Sequence, residues 1–251
     1  MKAIQLFSFL LITAFSAFAQ EHYADIDGQK FRVKVFGKGD LTVIFENGMS
    51  DSLEQFKSIP DSVAAFARVF LYNRADIGKS DTSRQPRTIP NMVSELRMIL
   101  AHEKIEPPYI LVGHSMGGFI IRYFTSHYPD EVNGLLLLDP SPETFWAEMP
   151  EEEFNEWLEG GNEWYHTRFE PRYWKEWYQF VPNMKYMEGL KLPEDLSVIL
   201  VSATEWSMYE HHSGIIEGLK NARHVELEGD HYVHQKYSAL MVEYIRELTG
   251  N

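Results

Sequence analysis

The sequence predicts an α/β domain: a mainly parallel sheet flanked by helices, with a small helical cap inserted late in the chain. Three observations predict it. Strand-like apolar runs alternate with helix-like segments along most of the 251 residues, the pattern of a sheet wrapped by helices. The later runs are continuously apolar, as in strands buried on both faces. From 143 to 193 the alternation stops and aromatic residues crowd in. A chain of this length suffices for one such domain with an insertion.

The elements follow in order. Residues 1–19 open with Lys2, carry no charge from Ala3 to Ala19 and end on Ala17-Phe18-Ala19. That is the pattern of a signal peptide cut before Gln20. Its apolar core is shorter than the ~20 residues of a spanning helix. The mature protein, 20–251, is therefore expected to be exported, periplasmic or secreted, with no membrane span. Runs 22–26 and 31–36 flank Asp27-Gly28 and read as a hairpin. Further strands are predicted at 41–45, 69–72, 109–112, 135–138, 198–201 and 224–227, with helices at 53–67, 90–103, 118–128 and 237–248. Within the expected cap, about 143–193, Phe154, Trp157 and Leu158 share one helical face. Tyr173, Trp174, Trp177 and Tyr178 share another.

Composition narrows the function classes. The net charge of −14 argues against nucleic acid or an anionic membrane as partner. There is no cysteine, so the exported chain is expected to do without disulfides, and a lipid anchor on a cysteine at the cleavage site is excluded. The adjacent His211 and His212 lack a third ligand at useful spacing, so no metal is expected, and nothing implies a cofactor.

The chemistry centres on Gly113-His114-Ser115-Met116-Gly117, which follows an apolar run and precedes a helix-like segment. Strand, sharp turn and helix with serine at the apex is the context of a G-x-S-x-G nucleophile elbow. A serine hydroxyl needs a base within reach and an acid to orient that base. His231, in Gly229-Asp230-His231 after the last strand, stands where the base belongs, with His234 as runner-up. Two acids compete: Asp139, which ends the run 135–138, and Glu205, which follows the next strand. Both lie at carboxyl ends of strands, where parallel sheets collect functional groups, and Asp139 is preferred. The oxyanion hole is expected from the amides of Met116, after the nucleophile, and Met49, in the loop 46–49. Aromatic residues of the cap, Trp146, Trp174 and Trp177 among them, are expected to line an apolar pocket over the serine.

The runs VIFENGMSDSLEQF, VFLYNRADIGKSD, YILVGHSMGGFIIRYFTSHYPDEVNGLLLLDPSPE and NARHVELEGDHYVHQ resemble the α/β-hydrolase superfamily across essentially all of 20–251. The resemblance is closest to single-domain, esterase-like and aminopeptidase-like members with a helical cap. It implies Ser115 as nucleophile, His231 as base and an acid that can follow the sixth strand, as Asp139 does. Two departures stand out. Asn47-Gly48 replaces the family's frequent His-Gly, and Asn73-Arg74-Ala75-Asp76 replaces Asp-Arg-x-Gly, setting a charged residue where a glycine is common, near the expected site mouth. The expected function is a serine hydrolase cleaving a carboxylic ester of a small molecule with an apolar part. The alternatives are an amide or peptide hydrolase, with Glu151-Glu152-Glu153 and Glu156 receiving an amino terminus, and a ligand-binding protein on a hydrolase scaffold. Haloalkane dehalogenation is not expected, because that chemistry wants a carboxylate where Ser115 stands.

Overall fold

The computed structural model describes residues 20–206 and 208–250; the expected signal peptide lies outside them. Eight strands form one sheet: β1 (Gln20–Ile26), β2 (Gln29–Gly37), β3 (Thr42–Glu46), β4 (Arg68–Tyr72), β5 (Tyr109–His114), β6 (Val132–Leu138), β7 (Ser197–Ala203) and β8 (Ala222–Leu227). Their spatial order is β1-β2-β4-β3-β5-β6-β7-β8. β1 and β2 form the expected hairpin, closed by Asp27 and Gly28 at φ 51° and 75°, the positive pair that matches strand twist in a two-residue turn. β2 pairs antiparallel with β4, and every pair from β4 to β8 is parallel. β5 lies centrally, and β3, β5 and the last five residues of β6 are wholly buried, which is why these strands read as unbroken apolar runs.

Eight α-helices complete the described chain: α1 (Ile59–Val63), α2 (Ile89–His102), α3 (Met116–His127), α4 (Glu143–Ala147), α5 (Glu151–Arg168), α6 (Trp174–Met184), α7 (Val233–Lys236) and α8 (Ser238–Thr249). The buried apolar side chains fall into two layers, one on each face of the sheet. One packs α2, α3 and the cap against the strands; the other packs α1 and α8. The predicted helix at 53–67 is broken instead into a 3-10 turn, Leu53–Phe56, and α1. Lys57 sits between them at φ 49°. Pro60 has no N–H to give the Phe56 carbonyl, and its ring would collide with that carbonyl in a continuous helix.

The cap, α4 to α6, enters between β6 and β7. α5 carries a polar outer face and buries only Tyr165 fully, whereas α6 buries Glu176, Trp177, Phe180 and Asn183. The two helices meet at Gly161, where a Cβ would lie 2.1 Å from the Trp177 ring, while neighbouring Gly160 faces open space. Gly161→Ala is therefore expected to destabilise by about 1–3 kcal/mol through overpacking. Gly160→Ala is expected to be neutral or to stabilise by up to about 1 kcal/mol through helix propensity. Paired thermal melts of the two variants measure the difference.

Candidate active site

Ser115 stands between β5 and α3 with φ 53° and ψ −122°, a strained backbone for a residue with a side chain. The turn is held by its neighbours: the Ser115 N–H donates to the Leu138 carbonyl (3.1 Å), and the Ser115 carbonyl accepts from Gly118 and Ser141 (2.8 and 3.1 Å). Gly117 is required by close approach, since a Cβ there would lie 2.5 Å from the Glu46 carbonyl oxygen. The serine thus projects from the carboxyl end of the central strand, where such sheets gather their chemistry.

Asp139 follows β6 at φ 41°. Its N–H donates to the Val201 carbonyl (2.7 Å), and its Oδ1 accepts from the Ala203 N–H (2.9 Å). Two anchors on β7 aim the other oxygen at His231, with Oδ2 2.6 Å from Nδ1. A carboxylate only accepts, so Nδ1 carries the proton and Nε2 is left as the acceptor. Glu205 is exposed and its N–H donates to the Gly229 carbonyl; the His231 nitrogen that an acid would engage faces Asp139. His234, the runner-up base, is buried beneath, its ring against Phe56 and His114, and burial pushes its pKa down to about 4.

Below the serine, His114 is fully buried and its Nε2 donates to the His231 carbonyl (2.8 Å), tying the turn before Ser115 to the loop that carries His231. Burial, reinforced by His231 and His234, holds the His114 pKa well below the ordinary histidine value, so its ring is neutral. His212 parts from its neighbour His211. It is buried with Nδ1 2.6 Å from Ser202 Oγ and 3.9 Å from Asp139 Oδ1, and the Ser202 hydroxyl also meets His224 Nε2 at 2.7 Å. Burial pushes the His212 pKa down to about 4.

Met116 opens α3, so its N–H has no partner within the helix. The Met49 N–H makes no backbone hydrogen bond among the described residues. The loop that presents Met49 is held by Arg74, which sequence reasoning met only as part of a departure. Nη1 donates to the Asn47 carbonyl (2.8 Å) and Nη2 to the Gly48 carbonyl (2.7 Å). The same guanidinium binds Glu46 through Nη1 (2.6 Å) and Glu176 of α6 through Nε and Nη2 (2.7 and 2.9 Å), all fully buried or nearly so. Glu176 in turn accepts from the Ser50 N–H (2.8 Å). Burial alone would raise the Glu176 pKa, but Arg74 outweighs it and holds the group below the usual range. For Glu46, burial wins over Arg74 and the Tyr72 hydroxyl and the pKa is raised. Asp76 is not at the site mouth as the sequence suggested. It is buried at φ 71°, the left-handed position a glycine fills easily, and its Oδ1 meets Lys175 Nζ of α6 at 2.8 Å.

Ser115 and His231 open onto one cavity of about 510 Å³ between sheet and cap. Trp146, Trp157, Trp164, Trp177, Phe180 and Trp206 make most of its apolar wall. Trp146 and Trp177 were expected there. Trp174 is a correction: its indole Nε1 donates to the Tyr165 and Phe169 carbonyls, both at 3.0 Å. A half-buried indole N–H seeks an acceptor, and the end of α5 supplies two, so the ring closes the α5–α6 corner. Trp206, stacked on His231 at 4.9 Å, was missed as a lining residue; its place just after a strand was the available signal. Tyr232 also lines the cavity, its hydroxyl donating to Asp51 Oδ2 (3.1 Å). The run Glu151, Glu152 and Glu156 lines a separate surface depression.

Residues 42–179 match the model of the alpha/beta hydrolase fold family. The chain belongs to the α/β-hydrolase family. An uncharacterised Bacillus subtilis protein, YqjL, is 35% identical over 127 residues, half of each chain. A Gibberella zeae AB hydrolase superfamily protein is 29% identical over 110 residues, 42% of this chain and 34% of that one. The chain matches about half the length, or less, of these curated relatives. Among solved structures, mouse alpha/beta hydrolase domain-containing protein 10 superposes with a TM-score of 0.70 at 19% identity, covering 92% of this chain and 99% of that one. The enol-lactonase of Burkholderia xenovorans LB400 gives 0.69 at 14%, covering 92% and 100%. These likenesses show a shared fold, and among the described residues no helix is long and apolar enough to cross a membrane.

Two outcomes follow from this geometry. Removing the Glu176 carboxylate leaves Arg74 buried with half its counter-charge, so Glu176→Ala is expected to cost about 3–5 kcal/mol, read by urea unfolding. The depressed histidines set the acid response. His114, His212 and His234 refuse protons in the fold that the unfolded chain accepts near pH 6.5. Stability is therefore expected to fall as pH drops from about 6.5 towards 4. Glu46 and Asp51, whose pKa values burial raises, take up protons earlier in the fold and offset part of the loss. Calorimetry across that window measures the slope, and His234→Phe should flatten it.

Proposed function

We propose that the protein is an exported serine hydrolase that cleaves carboxylic esters with an apolar part. The observation that carries the reading is the strained Ser115 facing an aromatic cavity shared with His231, whose Nδ1 is engaged by Asp139. In this reading Ser115 Oγ attacks the ester carbonyl carbon while His231 Nε2 takes its proton. The amides of Met49 and Met116 receive the negative charge on the carbonyl oxygen. The imidazolium, stabilised by Asp139, returns the proton to the departing alcohol. Water, deprotonated by His231, then attacks the acyl-enzyme and releases the acid and free Ser115. Export rests on Lys2, the uncharged run to Ala19 and Ala17-Phe18-Ala19.

The ester assignment draws on the cavity wall, which is mainly aromatic. Its lining carboxylate, Asp51, is engaged by the Tyr232 hydroxyl and burial raises its pKa, which disfavours the charge a peptide amino terminus would need. Glu151, Glu152 and Glu156 of the acidic run line a separate depression and not this cavity.

A fluorophosphonate probe is expected to modify Ser115 in the folded protein, with the adduct located by mass mapping, and His231→Ala is expected to abolish the reaction. Failure of folded protein to react would remove the hydrolase reading in favour of ligand binding without turnover. Asp139→Asn is expected to lower kcat/KM for p-nitrophenyl esters by about 10³–10⁴-fold. Glu205→Gln is expected to change it by less than about threefold, since surface changes are usually mild. A collapse in the second variant alone would transfer the acid role to Glu205.

A further inference from the structure

The catalytic cavity has a neighbour. A second cavity of about 480 Å³ is lined within the cap by Ala147, Phe154, Met184 and Met187 together with Glu143, Lys185 and Glu188. One residue lines both cavities, Trp146. It is 5% exposed and lies between the two linings it shares.

Trp146 is built to stay in place. Its ring meets Phe180 edge-on at 4.9 Å, Phe145 edge-on at 5.3 Å and Trp157 at 5.6 Å. The short helix α4 that carries it is fastened to α3 by Arg122, which donates to both oxygens of Glu143 at 2.8 Å. The indole Nε1 is buried and has no hydrogen-bond partner among the described residues. Packing alone holds the ring, and its polar atom contributes no tether.

We propose that Trp146 determines specificity, closing the end of the site that receives the apolar group of the ester. The second cavity is then an extension that a longer chain would enter if the wall were removed. The proposal rests on the ester-hydrolase reading and narrows its substrate class to esters with a compact apolar group, a short aliphatic chain or a single ring. Each methylene that the wall excludes forfeits a substantial transfer free energy, so the length limit is expected to be steep.

The test compares wild type with Trp146→Ala and the milder Trp146→Leu, because removing a buried indole weakens packing. Trp146→Phe keeps a ring in the wall. Hydrolysis of p-nitrophenyl esters with acyl chains of two to twelve carbons, and of alkyl acetates over the same lengths, gives kcat/KM profiles. Wild type and Trp146→Phe are expected to favour the short members. The Ala and Leu variants are expected to raise the ratio of ten-carbon to four-carbon kcat/KM at least about tenfold in one of the two series. Adding Ala147→Trp to plug the second cavity is expected to cancel that gain.

A second readout needs no turnover. In a Ser115→Ala background, binding of butanol to dodecanol followed by calorimetry is expected to shift towards the longer alcohols by a similar factor when the wall is removed. Folded Ala and Leu variants with the wild-type length profile in binding would overturn the role of Trp146, even if Ser115 reacts with the probe. A shifted binding profile in a protein whose Ser115 does not react would leave the wall standing and sink the hydrolase reading.

Discussion

The buried guanidinium of Arg74 is the interaction on which the site's architecture depends. One planar group accepts four tasks: it neutralises Glu46 at the end of β3, fixes the Asn47 and Gly48 carbonyls, and holds Glu176 on the cap by two parallel bonds. The loop that presents Met49 therefore owes its shape to a charge brought out of water, and the cap is attached to the same charge. A lysine, with a compact ammonium in place of a planar fork, has no means of serving all these acceptors at once. Burial, with the like charge of Glu176 adding to it, raises the pKa of Glu46 against the pull of Arg74 and of the Tyr72 hydroxyl that donates to it.

The two long cap helices are held by different forces. α6 is joined to the sheet side by polar contacts at both ends: Lys175 and Glu176 near its start, and Asn183 bonded to Ile89 and Arg87 near its end. α5 is held to α6 by aromatic side chains, through Trp157 on Trp177 at 5.0 Å and Tyr165 stacked on Trp177 at 5.1 Å. The Trp174 and Trp177 indole N–H groups add to this hold, donating to the Tyr165 carbonyl and Asn162 Oδ1. Ion pairs and amide bonds locate the helix nearer the Met49 loop, and indole rings, by stacking and through their N–H groups, close the roof. The same division appears on the other side of the serine, where Asp139 is positioned by two backbone bonds to β7 while Trp206 merely stacks on the imidazole.

Much of this was legible in residue order because the signals are local. A turn that needs glycine on both sides of a serine, apolar runs at the length of a buried strand, and a Pro90 that suits a first helical turn all act within a few residues. The broken helix at 53–67 was legible too, had Pro60 been weighed against the apolar periodicity. Trp174 shows the limit. It shares a helical face with Trp177, yet the carbonyls that attract its indole lie on α5 and have no trace in the spacing. Asp76 is similar: a charge in the sequence suggests surface, and Lys175, ninety-nine positions away, together with the Ser83 N–H makes its burial tolerable.

The sequence by itself determined the alternation of strands and helices, the serine turn, the chain order of Ser115, Asp139 and His231, and the aromatic character of the cap, because each is a property of neighbouring residues or of side-chain type. The tertiary structure decided which carboxylate meets His231, which tryptophans face the cavity, and that Arg74 binds loop and cap together. Those outcomes depend on hydrogen bonds and ring contacts between segments far apart in the chain, 102 positions for Arg74 and Glu176 and 92 for Asp139 and His231. A bond of a few ångströms has direction that no spacing along the chain encodes.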